Sequence, residues 1–201
     1  MKITRGETLL VATGNKGKLA EFRALLSPYG VKLLGLEDVG LGEPEETERS
    51  FAGNALLKAR AGARAGYLTL ADDSGLEVEA LGGAPGIYTA DWAEGASGRD
   101  FKRAMAKTWA LLEAVKAPAP RKASFCCTLA LARPGGEEQV FEGRARGQIV
   151  WPMRGAHGHG YDPIFMPDGY DITFGEMDEA VKNRISHRAD AFDKLMKECF
   201  T

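Results

Sequence analysis

Thr8–Leu26 reads TLLVATGNKGKLAEFRALL. Thr8–Ala12 is an apolar run, long enough for a buried strand and too short for a helix. TGNKGK is a polar turn. Beyond it Leu19, Phe22, Leu25 and Leu26 recur at the three- and four-residue spacing of one helix face. Pro28 and Gly30 predict the helix end. A buried strand, a tight turn and an amphipathic helix are the opening unit of an α/β fold.

The same alternation runs on along the chain. Val31–Leu36 predicts a second strand, and Ser50 is a cap for a helix that places Phe51, Ala55, Ala59 and Ala63 on one face. Asn54 and Lys58, also four apart, share another face. Gly66 ends that helix. Leu68–Ala71 is a strand leading into Asp72-Asp73. Gly82, Gly83, Pro85 and Gly86 form a loop, and Ser97 or Gly98 opens a long helix with Phe101, Met105, Trp109, Leu112 and Val115 inward. Ser124–Ala132 is apolar on both faces and predicts a central strand. Arg133–Gly136 turns it into a partner around Gln139–Arg146, and Gln148–Trp151 is a further short strand. The last helix starts near Ser186 and turns Ala189, Phe192, Leu195, Met196 and Phe200 inward. The pattern predicts one α/β domain over residues 1–201, a mixed sheet with flanking helices.

Composition narrows the function. The chain has 201 residues, 44% of them hydrophobic, and a net charge of −2. No global basic field recruits nucleic acid, so an anionic ligand needs a local cluster of positive groups. The three cysteines, Cys126, Cys127 and Cys199, form no C-x-x-C. That spacing predicts neither a disulfide framework nor a zinc site and suits a reducing cytoplasm. No apolar run has the length of a secretory leader or a membrane span, so no membrane partner is expected.

Five segments carry chemistry. In Thr13-Gly-Asn-Lys-Gly-Lys18, helix-start N–H groups, Thr13, Asn15 and the lysines are donors for phosphate, without the spacing of a Walker A loop. Glu45-Glu46 precedes the helix of Asn54 and Lys58. Asp72-Asp73-Ser74-Gly75 offers hard carboxylate oxygens of the kind Mg²⁺ takes. His159–Phe165 and Lys182–Arg188 are donor-rich, and His157 with His159 is a weak metal pair. Singly, each has a plain alternative: a glycine turn, a solvated acidic loop, an Asx-turn closing a strand, a capped helix start. Together they suit a nucleoside triphosphate bound with Mg²⁺.

VATGNKGKLAEF, SFAGNALLKARA, ADDSGLEVEALGGAPGIY, GYDPIF and KNRISHR occur in this order from Leu9 to the last helix. The chain thereby resembles the inosine triphosphate pyrophosphatase family, the Ham1-like enzymes. The resemblance implies an elongated two-lobed fold with a central cleft, a homodimer, and Mg²⁺-dependent hydrolysis of ITP, dITP, XTP and dXTP to the monophosphate and pyrophosphate. It assigns Thr13, Asn15, Lys18 and Lys58 to the phosphates. It assigns Glu46 and Asp73 to the metal, with Asp73 activating water. Ser74, His159, Tyr161, Asp162, Lys182, Ser186, His187 and Arg188 fall in positions around the base. The chain departs from the family at His159, where a stacking Phe is frequent, at Asp91 in place of Arg, and at Val181 in place of Glu. A nucleotide sensor without turnover and a pyrophosphatase for other nucleotides are the competing readings. The acids at Glu46 and Asp73 weigh against the sensor.

Overall fold

A computed structural model describes residues 1–96 and 98–200. Its strands and helices are β1 (Thr8–Val11), α1 (Lys16–Leu26), β2 (Lys32–Gly35), α2 (Phe51–Arg64), β3 (Leu68–Val78), β4 (Pro85–Gly86), α3 (Phe101–Ala114), β5 (Lys122–Ala132), β6 (Glu138–Ile149), β7 (Phe165–Pro167), α4 (Glu179–Ile185) and α5 (His187–Cys199). The sheet order is β2-β1-β3-β5-β6-β7, with β4 on β3. β1 pairs in parallel with β2 and β3, while β3–β4 and β6–β7 are antiparallel, so the sheet is mixed. The chain forms two compact units. One comprises Met1–Asp73, Cys127–Glu142 and Ala191–Thr201; the other comprises Ser74–Cys126 and Gly143–Asp190.

In the first unit the two faces of β3 serve different helices. Leu68 and Leu70 share a core with Phe22 and Leu26 of α1 and with Phe192 and Leu195 of α5. Ala71 instead packs with Ala55 and Ala59 of α2. Strand side chains alternate between faces, and the core clusters follow that parity. The predicted small-residue face of α2 accounts for its close approach. A Cβ on Gly62 would collide with the buried Thr69 side chain and come 2.8 Å from Leu10 Cδ2. The second unit has its own core, in which Leu76 and Val78 meet Phe125, Tyr161, Phe165 and Phe174.

Several predicted elements change. β3 does not stop at the acids but runs through Asp72 and Asp73 to Val78, because both carboxylates find partners on neighbouring helices. β6 absorbs the separate strand expected at Gln148–Trp151 and ends at Ile149. Gly147 lets it continue, since a side chain there would strike the Met166 carbonyl of β7. Leu25 is 37% exposed: Phe22 and Leu26, four apart, carry the contact with the core. Val115 is 54% exposed because α3 closes at Ala114 and leaves it as the cap. Asp100, not Gly98, caps α3 by accepting the Arg103 N–H; Ser97 lies outside the described residues. In α5 the buried positions include Ala191 and Cys199, while Ala189 is half-buried. α4 is a seven-residue helix with no fully buried residue, too short to show a stripe in the sequence.

Two outcomes follow from this packing. Gly62→Ala forces α2 away from β3, and overpacking of this kind costs about 1–3 kcal/mol. Denaturant titration should therefore show a lower midpoint with an unchanged slope. Near the start of the chain, Glu7 accepts from the Thr4 N–H and from Arg133 at 2.6 Å. Burial pushes its carboxyl up, but these donors outweigh burial and hold it below its ordinary 4.5. A depressed carboxylate stabilises the fold above that ordinary value, and the contribution is lost as pH falls through the folded value. Glu7→Gln should flatten the fall of thermal stability with pH below about 4.5.

Candidate catalytic site

The parity of β3 divides the adjacent acids. Asp72 continues the Leu68–Leu70 face towards α1, and its Oδ2 accepts from Lys18 Nζ at 2.6 Å. Asp73 continues the Ala71 face towards α2, and its Oδ2 accepts from Asn54 Nδ2 at 3.0 Å. The two are 1% and 7% exposed. Carboxylates at that depth persist where ammonium or amide groups compensate the lost hydration. One turn beyond Asn54, the nearly buried Lys58 donates to Glu46 Oε1 at 2.6 Å. Eight residues of α2, from Asn54 above Asp73 to Gly62 above Thr69, rise about 12 Å; four residues of β3 cover about 13 Å. The spacing of Asn54, Lys58 and Gly62 thus matches the strand beneath.

The loop after β1 is ordered by its own side chains. Asn15 caps α1, its Oδ1 accepting from Gly17 N at 2.9 Å and Lys18 N at 3.1 Å. Thr13 Oγ1 accepts from Asn15 N at 3.2 Å. The Gly14 N–H, pointing outward, is met by the carboxylate of Glu43 at 3.0 Å. A side-chain anion therefore rests on the loop that the sequence marks for phosphate. The sequence shows Glu43 only as the first residue of an acidic loop, Glu43–Glu48, with nothing to mark its contact with Gly14. All these residues, Glu43 to Lys58 included, belong to the first unit.

The second unit holds the other predicted set. Ser74 is half-buried on β3. Asp162, nearly buried, accepts from His159 N at 2.6 Å and is ion-paired with Lys182. Gly158 beside it has a positive φ of 76°, and a side chain there would occupy the Asp162 carboxylate. Lys182 Nζ also lies 5.5 Å from the centre of the Phe174 ring. Ser186 receives the Ala189 N–H at 3.2 Å and so caps α5. The His187 ring stacks on Phe125 at 5.1 Å, with Arg188 half-buried next to it. Tyr161 is taken up by the core: it is 1% exposed, its hydroxyl donates to the Thr89 carbonyl at 3.1 Å, and burial holds its phenol well above the usual value. The imidazole of His159 is exposed, as is that of His157.

The donor set suits a hard divalent cation in one respect. Glu46 and Asp73 offer carboxylate oxygens, while no three His, Cys, Asp or Glu side chains gather among the described residues. Mg²⁺ commonly takes one or two carboxylates and completes its shell with phosphate oxygens and water.

A family model, that of the Ham1 family, matches residues 9–198. The chain belongs to the Ham1 family. Among its Ham1 relatives, the dITP/XTP pyrophosphatase of Ruegeria pomeroyi is 59% identical over 97% of this chain and 96% of its own length. That of Rhodospirillum centenum is 49% identical over the same shares. A HAM1 protein from Coxiella burnetii superposes with a TM-score of 0.89 at 35% identity, covering 96% of this chain and 98% of its own. A nucleoside-triphosphatase / dITP/XTP pyrophosphatase from Mycobacterium abscessus gives 0.80 at 41% identity, covering 94% and 98%.

The Lys18–Asp72 pair makes a direct test of charge compensation in this Ham1 site. Lys18→Met should destabilise the fold by about 1–3 kcal/mol, because Asp72 loses its ammonium partner. Adding Asp72→Asn should restore most of the loss in thermal denaturation. Additive losses would show that the pair is not coupled.

Proposed function

We propose that this chain is a Mg²⁺-dependent nucleoside-triphosphate pyrophosphohydrolase acting on ITP, dITP, XTP and dXTP. Water cleaves the α–β phosphoanhydride and releases the monophosphate and pyrophosphate. One observation carries the reading: lysines and an amide already sit on three carboxylates, in the Lys18–Asp72, Lys58–Glu46 and Asn54–Asp73 contacts. A site of this kind binds a triphosphate by exchanging partners. Lys18 and Lys58 pass from carboxylate to phosphate, with Thr13 and Asn15 adding polar contacts. Glu46 and Asp73 would hold Mg²⁺, which neutralises charge on the phosphate oxygens. Asp73 accepts the proton of the attacking water. The names of the relatives from Ruegeria and Rhodospirillum support the choice of purine.

By the family resemblance, base selection falls to residues outside the phosphate set. Hypoxanthine and xanthine present an oxygen at C6, where adenine presents an amino group. Lys182 and Arg188 are donors, so the oxygen satisfies them and the amino group does not. A site built on such donors rejects the mismatched base strongly. Ser74, His159, Asp162, Ser186 and His187 complete the proposed base set, with Tyr161 acting from the core behind it. By the family resemblance the enzyme works as a homodimer in the cytoplasm, clearing non-standard purines from the nucleotide pool. No described helix is long and apolar enough to cross a membrane.

A nucleotide panel with separate detection of pyrophosphate and orthophosphate tests the reading. With Mg²⁺, the four named substrates should yield pyrophosphate with kcat/KM at least about 10²-fold above ATP. Chelation should abolish turnover. Orthophosphate as the product, or equal rates on ATP and ITP, contradicts the proposal. Tight binding of ITP without turnover would leave a sensor.

A further inference from the structure

Asn54 is 2% exposed, and both ends of its amide are engaged. Its Oδ1 accepts the backbone N–H of Glu48 at 3.0 Å, and its Nδ2 donates to Asp73 Oδ2 at 3.0 Å. The orientation follows from chemistry. A backbone N–H can only donate, so the amide oxygen faces Glu48 and the NH₂ group faces the carboxylate. Glu48 lies two residues beyond Glu46 in the acidic loop. One buried side chain therefore ties the loop that carries Glu46 to the strand that carries Asp73. Lys58, one turn along the same helix, grips Glu46 itself.

We propose that Asn54 is a positioning residue: it fixes the Asp73 carboxylate relative to the acidic loop, so that Glu46 and Asp73 are set for one divalent ion and Asp73 for its proton transfer. This rests on the reading of Asp73 as metal ligand and base. A carboxylate free to rotate would spend part of its time aimed elsewhere. The Asn54 N–H, with its own amide locked at the far end, helps hold the Asp73 carboxylate in one orientation before substrate arrives. Partners of this kind, behind the ligating atoms, typically change metal affinity or activity by about 10–100-fold when removed.

The test compares Asn54→Ala and Asn54→Asp with the parent in kcat and KM for ITP, in thermal stability, and in Mn²⁺ binding followed by electron paramagnetic resonance. The last is run with a nucleotide whose α–β bridge is a methylene group. Asn54→Ala should lower kcat about 10–100-fold with KM within about threefold, and should weaken Mn²⁺ binding by about tenfold. Asn54→Asp keeps the shape and the acceptor for Glu48 but turns a carboxylate on Asp73, so its kcat should fall as far. It serves if the alanine variant does not fold. In an Asp73→Asn background, Asn54→Ala should change Mn²⁺ affinity by less than about twofold, since the group it acts through is gone. Parental kcat in Asn54→Asp, or a lower melting temperature with parental kcat and Mn²⁺ affinity in Asn54→Ala, overturns the proposal. Should the parent release no pyrophosphate, the reading of the reaction fails, and Mn²⁺ binding still decides on Asn54: unchanged affinity in Asn54→Ala overturns its role, weakened affinity upholds it.

Discussion

The two-residue period of a β-strand governs this molecule more than any single contact. Along β3 it sends Leu68, Leu70 and Asp72 to the face of α1 and α5, and Thr69, Ala71 and Asp73 to that of α2. Two carboxylates joined by one peptide bond would repel each other if they shared a pocket. Separated by the plane of the sheet, each has its own helix and its own partner. The core and the site are thus read from the same strand in the same register. A one-residue slip would turn Leu68 and Leu70 towards α2 and put Thr69 and Ala71 in their place in the leucine core.

Burial then dictates the company each charge keeps. Lys58 is nearly inaccessible, and Asp72 more so. A charge at that depth loses its hydration, and an opposite charge within contact distance offsets part of that cost. In the resting arrangement ammonium groups sit on Asp72 and Glu46, an amide on Asp73 and a glutamate on the Gly14 N–H. Pairs of this kind keep buried polar groups compensated within the fold.

Much of this was legible in the sequence, and what was not has definite causes. The strand–turn–helix at Thr8–Leu26 and the small-residue face of α2 announce themselves by period and composition. The continuation of β3 past the acids does not, since Asp-Asp-Ser-Gly is turn chemistry when read locally and becomes strand through contacts with distant helices. The split at Gln148–Trp151 vanished for a similar reason: Gly147 looks like a breaker until the β7 backbone lies against it. Lys58 and Asn54 could be placed on one face of a helix, but which acid each would meet depends on the depth of α2 over the sheet. Glu43 was legible as the first acid of the Glu43–Glu48 loop, but not its contact with the Gly14 N–H. Tyr161, in a motif assigned to the base, points its hydroxyl into the core at Thr89, a direction that spacing cannot supply.

The glycine at position 62 has a consequence for reach. An asparagine side chain is short: its amide stands two carbons from the backbone, so it can touch a strand carboxylate only from a helix that lies low. Alanines and one glycine keep α2 at that height. The helix works as a lever whose far end rests on Thr69 and whose near end carries the amide. A bulkier residue two turns from Asn54 would tilt the bar and draw the amide off Asp73, so that contact is set by the absence of a side chain about 12 Å away.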